Sequence, residues 1–160
     1  MLSTTSPNLL SQIGGASYAV GYGFGFIYLG VGPRLYVFSA SNLSAPVLLG
    51  ISDILPGIVQ GVRIAGSRAY VTLGEGGLAV LDVTYPTAPV LLSTYDTPGF
   101  ARKLWVAYPD VYVADGATGV LKLDTTDPAD IQLTFTYETP GTARDVLISN
   151  AGSDSEKLFI

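Results

Sequence analysis

The chain repeats itself every 42 residues, and this period constrains the fold more than any other feature. Residues 94–102 read TYDTPGFAR, and residues 136–144 read TYETPGTAR. A weaker earlier copy places Pro56 at the same distance before Pro98. Self-similarity with a period of 20 to 50 residues indicates a solenoid, a propeller or another array of stacked units.

Each repeat has the pattern of four short strands. Val, Ile, Leu and Tyr dominate the segments between turns, and no 3.6-residue period is sustained. The predicted strands of the two clearest repeats are 60–65, 69–73, 78–83 and 90–95, then 102–107, 110–114, 120–124 and 132–137. Four strands in about 42 residues are typical of a β-propeller blade.

The first strand of each repeat helps to choose among all-β folds. Residues 62–65 and 104–107 are nearly apolar throughout, as expected of strands covered on both faces by neighbouring blades. A β-sandwich would leave one face in water and show cleaner alternation. The sequence therefore predicts an all-β chain forming a partial β-propeller of roughly three to four blades.

The period also divides the chain, which is treated as one propeller segment, 1–160. Its predicted units are the end of a preceding blade, three blades and the start of a further blade, namely 1–15, 16–57, 58–99, 100–141 and 142–160. We expect a fragment of a larger ring. The alternative is a small closed ring in which residues 9–13 complete the last blade, and self-association is open if the chain is complete.

Composition excludes several classes of function. The chain has 13 acidic and 8 basic residues, so its net charge of −5 argues against nucleic acid as a partner. It has no Cys and no His, which excludes disulfides, thiolate or imidazole metal sites and a Ser-His-Asp triad from this chain. Residues 18–31 are uncharged, but four glycines interrupt them and they are too short for a membrane helix. No cofactor, metal or membrane insertion is predicted.

The third repeat also carries a recognisable combination of motifs. Residues 98–102 read PGFAR, residues 111–116 read VYVADG, and residues 124–128 read DTTDP. This combination resembles the LVIVD-repeat β-propellers. The resemblance implies the propeller fold and an extracellular or cell-envelope location, and it implies no particular chemistry.

The propeller fold predicts one face that carries ligands. The links between blades and the loops between second and third strands share that face, and they fall at 31–33, 53–59, 75–77, 96–101, 115–118 and 138–143. Arg102, Arg144 and the equivalent Gln60 begin innermost strands and are expected at the channel mouth. The acidic residues expected on this face are Asp96, Glu138, Glu75 and Asp115.

Two roles are open for this mixture of charges. It could form a pocket that binds a polar ligand or an acidic group of a partner through the arginines. Alternatively, Arg102 and Arg144 could pair with acidic residues of neighbouring blades and fix the blade order.

Two further segments have oxygen-rich side chains. Asp124, Asp127 and Asp130 do not match the spacing of an EF-hand, and Asp-Pro is ordinary turn chemistry. The insertion at residues 150–156 breaks the repeat and is polar. It could bind calcium or a partner, but a plain surface loop is the favoured interpretation.

The function favoured by the sequence is a non-enzymatic interaction module, exported or on the cell surface, that binds a protein or polysaccharide partner through its loop face. The alternative is part of a propeller enzyme, such as a hydrolase, lyase or quinoprotein, whose catalytic residues lie on other blades. The module is preferred because nothing in the chain pairs a nucleophile with a base.

Overall fold

The computed structural model describes residues 17–149 and 157–160, which contain β-strands and no helix. Nothing in this part of the chain is a helix that could cross a membrane. Blade 1 consists of β1 (Ala19–Gly23), β2 (Phe26–Val31), β3 (Arg34–Ser39) and β4 (Val47–Ile51). Blade 2 consists of β5 (Gly61–Ala65), β6 (Arg68–Thr72), β7 (Leu78–Asp82) and β8 (Val90–Tyr95). Blade 3 consists of β9 (Lys103–Ala107), β10 (Asp110–Ala114), β11 (Val120–Asp124) and β12 (Gln132–Tyr137), and the last hairpin pairs β13 (Leu147–Ser149) with β14 (Lys157–Phe159).

Within each blade the strands pair antiparallel in chain order. This is the topology of a propeller blade, and the partial-propeller prediction is confirmed. The eight strands predicted for blades 2 and 3 agree with the structure to within one residue at each end. Each outermost strand pairs with its neighbour through a β-bulge, for example between Val80 and Leu81. Such bulges twist an edge strand away from further pairing.

The blades stack through their innermost strands. β1 packs against β5, β5 against β9, and β9 against β13. Three apolar clusters fill the spaces between successive blades. Each blade contributes one buried tyrosine at the same repeat position of its second strand, namely Tyr28, Tyr70 and Tyr112. The core of this fold is therefore divided between blades, which explains the apolar inner strands.

The turn between the third and fourth strands of blade 3 fastens that blade to blade 2. Ser93 of β8 donates its hydroxyl hydrogen bond to the carbonyl of Pro128 in the turn of blade 3. Asp124 Oδ1 accepts hydrogen bonds from the amide and the hydroxyl of Thr126, at 2.8 and 2.7 Å, and Asp127 Oδ1 accepts the Ala129 amide at 2.9 Å. These carboxylates act as turn formers, as their Asp-Pro context predicts.

Two predicted features lie outside the described residues. They are the N-terminal piece at 1–15, including the strand considered at 9–13, and the whole insertion at 150–156.

Candidate functional site

The links between blades dock on the loops between second and third strands. Gly74 and Ala101 exchange two backbone hydrogen bonds of 3.0 Å, and the amide of Ala143 donates to the carbonyl of Gly116 at 2.9 Å. Both sets of segments therefore lie on one side of the propeller, here called the loop face. All seven residues expected in the site belong to this face or to the strand starts beneath it.

A pocket of ≈ 300 Å³ opens on the loop face beside blade 2. Gln60 and Glu75, both expected in the site, line it together with Phe100, which the sequence did not single out. We call this the loop-face pocket. Its lining is completed by the apolar and glycine residues Pro56, Gly57, Ile58, Leu73, Gly74 and Gly76.

Arg102 stacks on Phe100 and is not itself one of the residues that line the loop-face pocket. Its guanidinium carbon stands 4.8 Å from the centre of the Phe100 ring, a cation–π contact. Its Nε atom is buried and makes no hydrogen bond. The carbonyl of Arg102 accepts a 2.7 Å hydrogen bond from the hydroxyl of Thr72. The backbone of Arg102 is thus fixed, whereas its charged group is stacked and pairs with no carboxylate of residues 17–149 and 157–160.

The other expected residues divide by exposure. Glu75, Asp96, Glu138 and Arg144 are exposed, whereas Asp115 is buried. Within residues 17–149 and 157–160, the salt bridge that forms joins Lys122 and Asp110 at 2.9 Å, inside blade 3. Neither Arg102 nor Arg144 pairs with a carboxylate there, so the pairing considered as an alternative role is not formed between described residues.

Asp115 serves the loop itself. Its Oδ2 accepts the amide of Gly99 at 2.8 Å, which ties the link before blade 3 to the loop of that blade. Burial raises the pKa of the Asp115 carboxyl above its ordinary value, and the nearby Asp96 charge adds to this. The hydroxyls of Thr97 and Thr118 act in the opposite direction, although neither Thr97 Oγ1 nor Asp115 Oδ1 makes a hydrogen bond of normal geometry.

A second cavity, of ≈ 270 Å³, lies between the innermost strands and marks the central channel. Ala19, Gly61, Lys103 and Asp145 occupy equivalent positions 42 residues apart, and all four line it. Lys103 reaches across it and donates from Nζ to the carbonyls of Gln60, at 2.8 Å, and Tyr18, at 3.1 Å. The residues that directly follow Arg102 and Arg144 therefore line this cavity.

Arg63 is the other cation of the channel. Its guanidinium carbon stands 5.1 Å from the centre of the Trp105 ring, and its Nε donates to the carbonyl of Leu104 at 3.4 Å. The sequence did not single out Arg63, Lys103 or Asp145, because neighbouring strand residues point in opposite directions and the register decides which one faces the channel. In the described part of the chain, no three acidic side chains gather in a way that could hold a metal ion.

Comparisons with known proteins support the fold. The LVIVD repeat family matches residues 56–97 and 98–139, just over half of the chain. A search of curated proteins found no match. The computationally designed Ika4 protein superposes with a TM-score of 0.70 at 14% identity, covering 94% of both chains.

Two natural proteins show the same likeness at lower coverage of their own length. Sqt1 of Saccharomyces cerevisiae has a TM-score of 0.72 at 11% identity, covering 90% of this chain and 41% of Sqt1. BamB of Moraxella catarrhalis has a TM-score of 0.61 at 17% identity, covering 78% of this chain and 37% of BamB. The chain thus spans less than half the length of these two proteins, and identities this low show a shared fold alone.

Proposed function

Because the chain belongs to the LVIVD repeat family, we propose that it works as that fold's non-enzymatic interaction module and binds a protein partner through its loop face. A carboxylate of the partner would bind at the edge of the loop-face pocket that Phe100 lines, and Arg102, which stacks on that ring, would be the anchoring cation. Of Arg102 and Arg144, the two arginines that the sequence suggested, this proposal assigns carboxylate binding to Arg102 alone.

The state of Arg102 is the observation that carries the proposal. A guanidinium normally satisfies its donors with carboxylates, carbonyls or water, yet the Nε of Arg102 is buried and has no hydrogen-bond partner among the described residues. Stacking on Phe100 holds the planar group in place before any ligand binds. A carboxylate offers the two oxygens that such a fork matches, and little conformational freedom would be lost on binding.

The surrounding charges define the partner further. Glu75, Asp96 and Glu138 are exposed on the same face and would repel a uniformly acidic surface. A surface of mixed charge satisfies both features, with a carboxylate at Arg102 and cations opposite the three acids. A mixed-charge protein segment therefore fits this face better than a polyanion.

The anchor can be tested with a small probe. Glutarate is titrated into ¹⁵N-labelled protein while the Nε–H signals of the arginines are followed by NMR. We expect a saturable shift at Arg102. Arg63 is the internal control, because it also stacks on an aromatic ring but lies in the channel. An equal response at both arginines, or none at Arg102, would contradict the proposal.

Partner class is tested with longer probes. Peptides with alternating Glu and Lys, peptides with Glu alone, and oligogalacturonate are compared for binding to the native protein and to Arg102→Lys, Arg102→Ala and Arg63→Ala. We expect the mixed peptide to bind best, Arg102→Lys to weaken binding, Arg102→Ala to abolish it and Arg63→Ala to leave it intact. Preference for oligogalacturonate would instead assign the face to an acidic polysaccharide.

A further inference from the structure

One position of the repeat is covered in three units and bare in the first. Val62 of β5, Leu104 of β9 and Val146, just before β13, are equivalent residues, and they are 5%, 3% and 2% exposed. The equivalent residue of β1 is Val20, which is 66% exposed. The same contrast holds two residues on, where Ile64 and Val106 pack into the clusters between blades but Tyr22 is 68% exposed.

The buried residues at this position pack against the inner strand of the preceding blade. A Cβ on Gly21 of β1 would come within 2.9 Å of Val62 Cγ1, and a Cβ on Gly23 within 2.8 Å of Ile64 Cγ2. Each blade thus inserts two apolar side chains of its inner strand against the inner strand of the preceding blade. Tyr18, Val20 and Tyr22, here called the first-blade face, are exposed side chains of β1 and the residue before it, and no other strand of residues 17–149 and 157–160 covers them in this way.

The other end of the described chain shows the complementary surface. Leu147, Phe159 and Ile160, here called the last-hairpin face, are 45%, 53% and 57% exposed. Beside them lies a groove of ≈ 340 Å³ that Arg63 and Asp145 also line. The groove offers apolar walls for an aromatic ring and polar groups for a phenolic hydroxyl.

We propose that the first-blade face of one molecule docks on the last-hairpin face of a second copy, so that two copies close head to tail. The contact would continue the stacking already present between blades 1, 2 and 3. A second copy is chosen as the occupant because the molecule's own last hairpin leaves Val20 and Tyr22 two-thirds bare. Exposed apolar surfaces on the first and the last of the described units, at two different places on one molecule, are typical of heterologous association.

The test uses the full 160-residue chain and measures its mass by light scattering over a range of concentrations. We expect a dimer with twice the monomer mass, and a monomer for either Tyr22→Lys or Leu147→Glu. Tyr85→Lys is the matched control: Tyr85 is 73% exposed but belongs to the turn between the third and fourth strands of blade 2 and to neither proposed face, so its variant should stay dimeric. Circular dichroism of each variant reports whether the fold is kept.

Mixing the two monomeric variants distinguishes head-to-tail docking from any other contact. In a mixed pair, one interface joins the introduced lysine to the introduced glutamate as opposite charges and the other interface is native, so a heterodimer should reappear. A native chain that is monomeric at all concentrations overturns the proposal, as does a dimer that survives Tyr22→Lys. A mixture that stays monomeric overturns the head-to-tail arrangement.

Discussion

The loop after β6 and the loop after β10 share the same backbone conformation, but the residue buried inside the first loop is apolar and the one buried inside the second is charged. Two glycines in each loop adopt positive φ, and the two pairs lie 42 residues apart in the sequence. They are Gly74 and Gly77 in blade 2 and Gly116 and Gly119 in blade 3. The first residue of each loop donates a 2.8 Å backbone hydrogen bond to the second glycine. That first residue is Leu73 in blade 2 and Asp115 in blade 3, and both are buried.

The residue that faces the loop from the preceding link changes in the same way. Leu55 is buried in the apolar cluster that contains Leu73, whereas its counterpart Thr97 is buried near Asp115. One loop thus has an apolar pair inside and the other a polar pair. Glycine conformations and backbone hydrogen bonds are therefore what the two loops share, and we expect that the buried pair can be exchanged when both of its residues change together.

The strongest test of this comparison replaces the glycine of each link. A Cβ on Gly57 would stand 2.2 Å from the carbonyl oxygen of Leu73, and one on Gly99 2.2 Å from that of Asp115. Because the obstacle is backbone in both loops, Gly57→Ala and Gly99→Ala should each lower the free energy of unfolding by about 3 kcal/mol, measured by urea denaturation.

The chain supplies its own control for that experiment. Gly141 is the next equivalent glycine, and a Cβ there would meet no atom of the described residues within 4 Å. Gly141→Ala should therefore change stability by less than about 0.5 kcal/mol. If all three substitutions cost the same, the clash with the docked loop is not the reason that glycine recurs.

These glycines also show how far the sequence could predict the structure. The recurring PG pair and the alternation of apolar segments with turns place the strands of blades 2 and 3 within one residue, because strand ends depend on local turn chemistry. The burial of Asp115 does not follow from its own loop. It arises when the link containing Thr97 and Gly99 folds over the carboxylate, a contact between separate segments that local patterns do not encode.

The candidate site was predictable at the level of loops but not of side chains. Gln60 and Glu75 do line the loop-face pocket, since the fold topology fixes which loops share a face. Phe100 could have been noticed because its counterparts in the other links are Ile58 and Thr142, so it is the one aromatic residue at that repeat position. Lys103 required knowledge of strand register to one residue, which sequence patterns give only approximately.

A second test exchanges the loop interiors. Leu73→Asp should destabilise the protein by about 2 kcal/mol, because apolar burial is lost and a carboxylate enters an apolar cluster. Adding Leu55→Thr should recover part of this loss, since the pair then reproduces the interior of blade 3. A double-mutant cycle in urea measures the coupling. Strictly additive effects would show that the two positions do not change as a pair.

A smaller effect is expected from Asp115→Asn. The amide oxygen of Asn can still accept the Gly99 amide, while the buried charge is removed. Because burial raises the pKa of Asp115 in the folded state, native stability falls as pH rises from the unfolded value of 3.8 through the folded value. The variant should therefore be the more stable of the two at pH 7, and its advantage should disappear at acidic pH.

Urea denaturation of the native protein and of Asp115→Asn at a series of pH values gives the difference between their free energies of unfolding. The contributions of all other titrating groups cancel in that difference. An advantage of Asn that is independent of pH would mean that packing, not ionisation, separates the two side chains. A variant less stable than the native protein at pH 7 would mean that the ionised carboxylate strengthens the tie to Gly99 by more than its burial costs.

The smallest expected effect concerns a charge that blade 3 has and blade 2 lacks. The Lys122 Nζ lies 2.9 Å from Asp110 Oδ2, whereas the position equivalent to Lys122 in blade 2 is the buried Val80. The hydrogen bond to Asp110 raises the pKa of Lys122 to about 12. The resulting stability is present below pH 10.5 and is lost as pH rises through the folded pKa. Asp110→Asn should return the Lys122 pKa towards 10.5 and cost about 0.5 kcal/mol at pH 7.

Titration of the Lys122 side chain by NMR gives the first value, and urea denaturation gives the second. Asp124→Asn is the control, because Asp124 lies near Lys122 but caps the Thr126 turn instead of bonding the ammonium group. A pKa that stays near 12 in Asp110→Asn would assign the shift to the ring of Tyr112, which lies 5.7 Å from the ammonium nitrogen. Blade 3 would then differ from blade 2 through that packing and not through an ion pair.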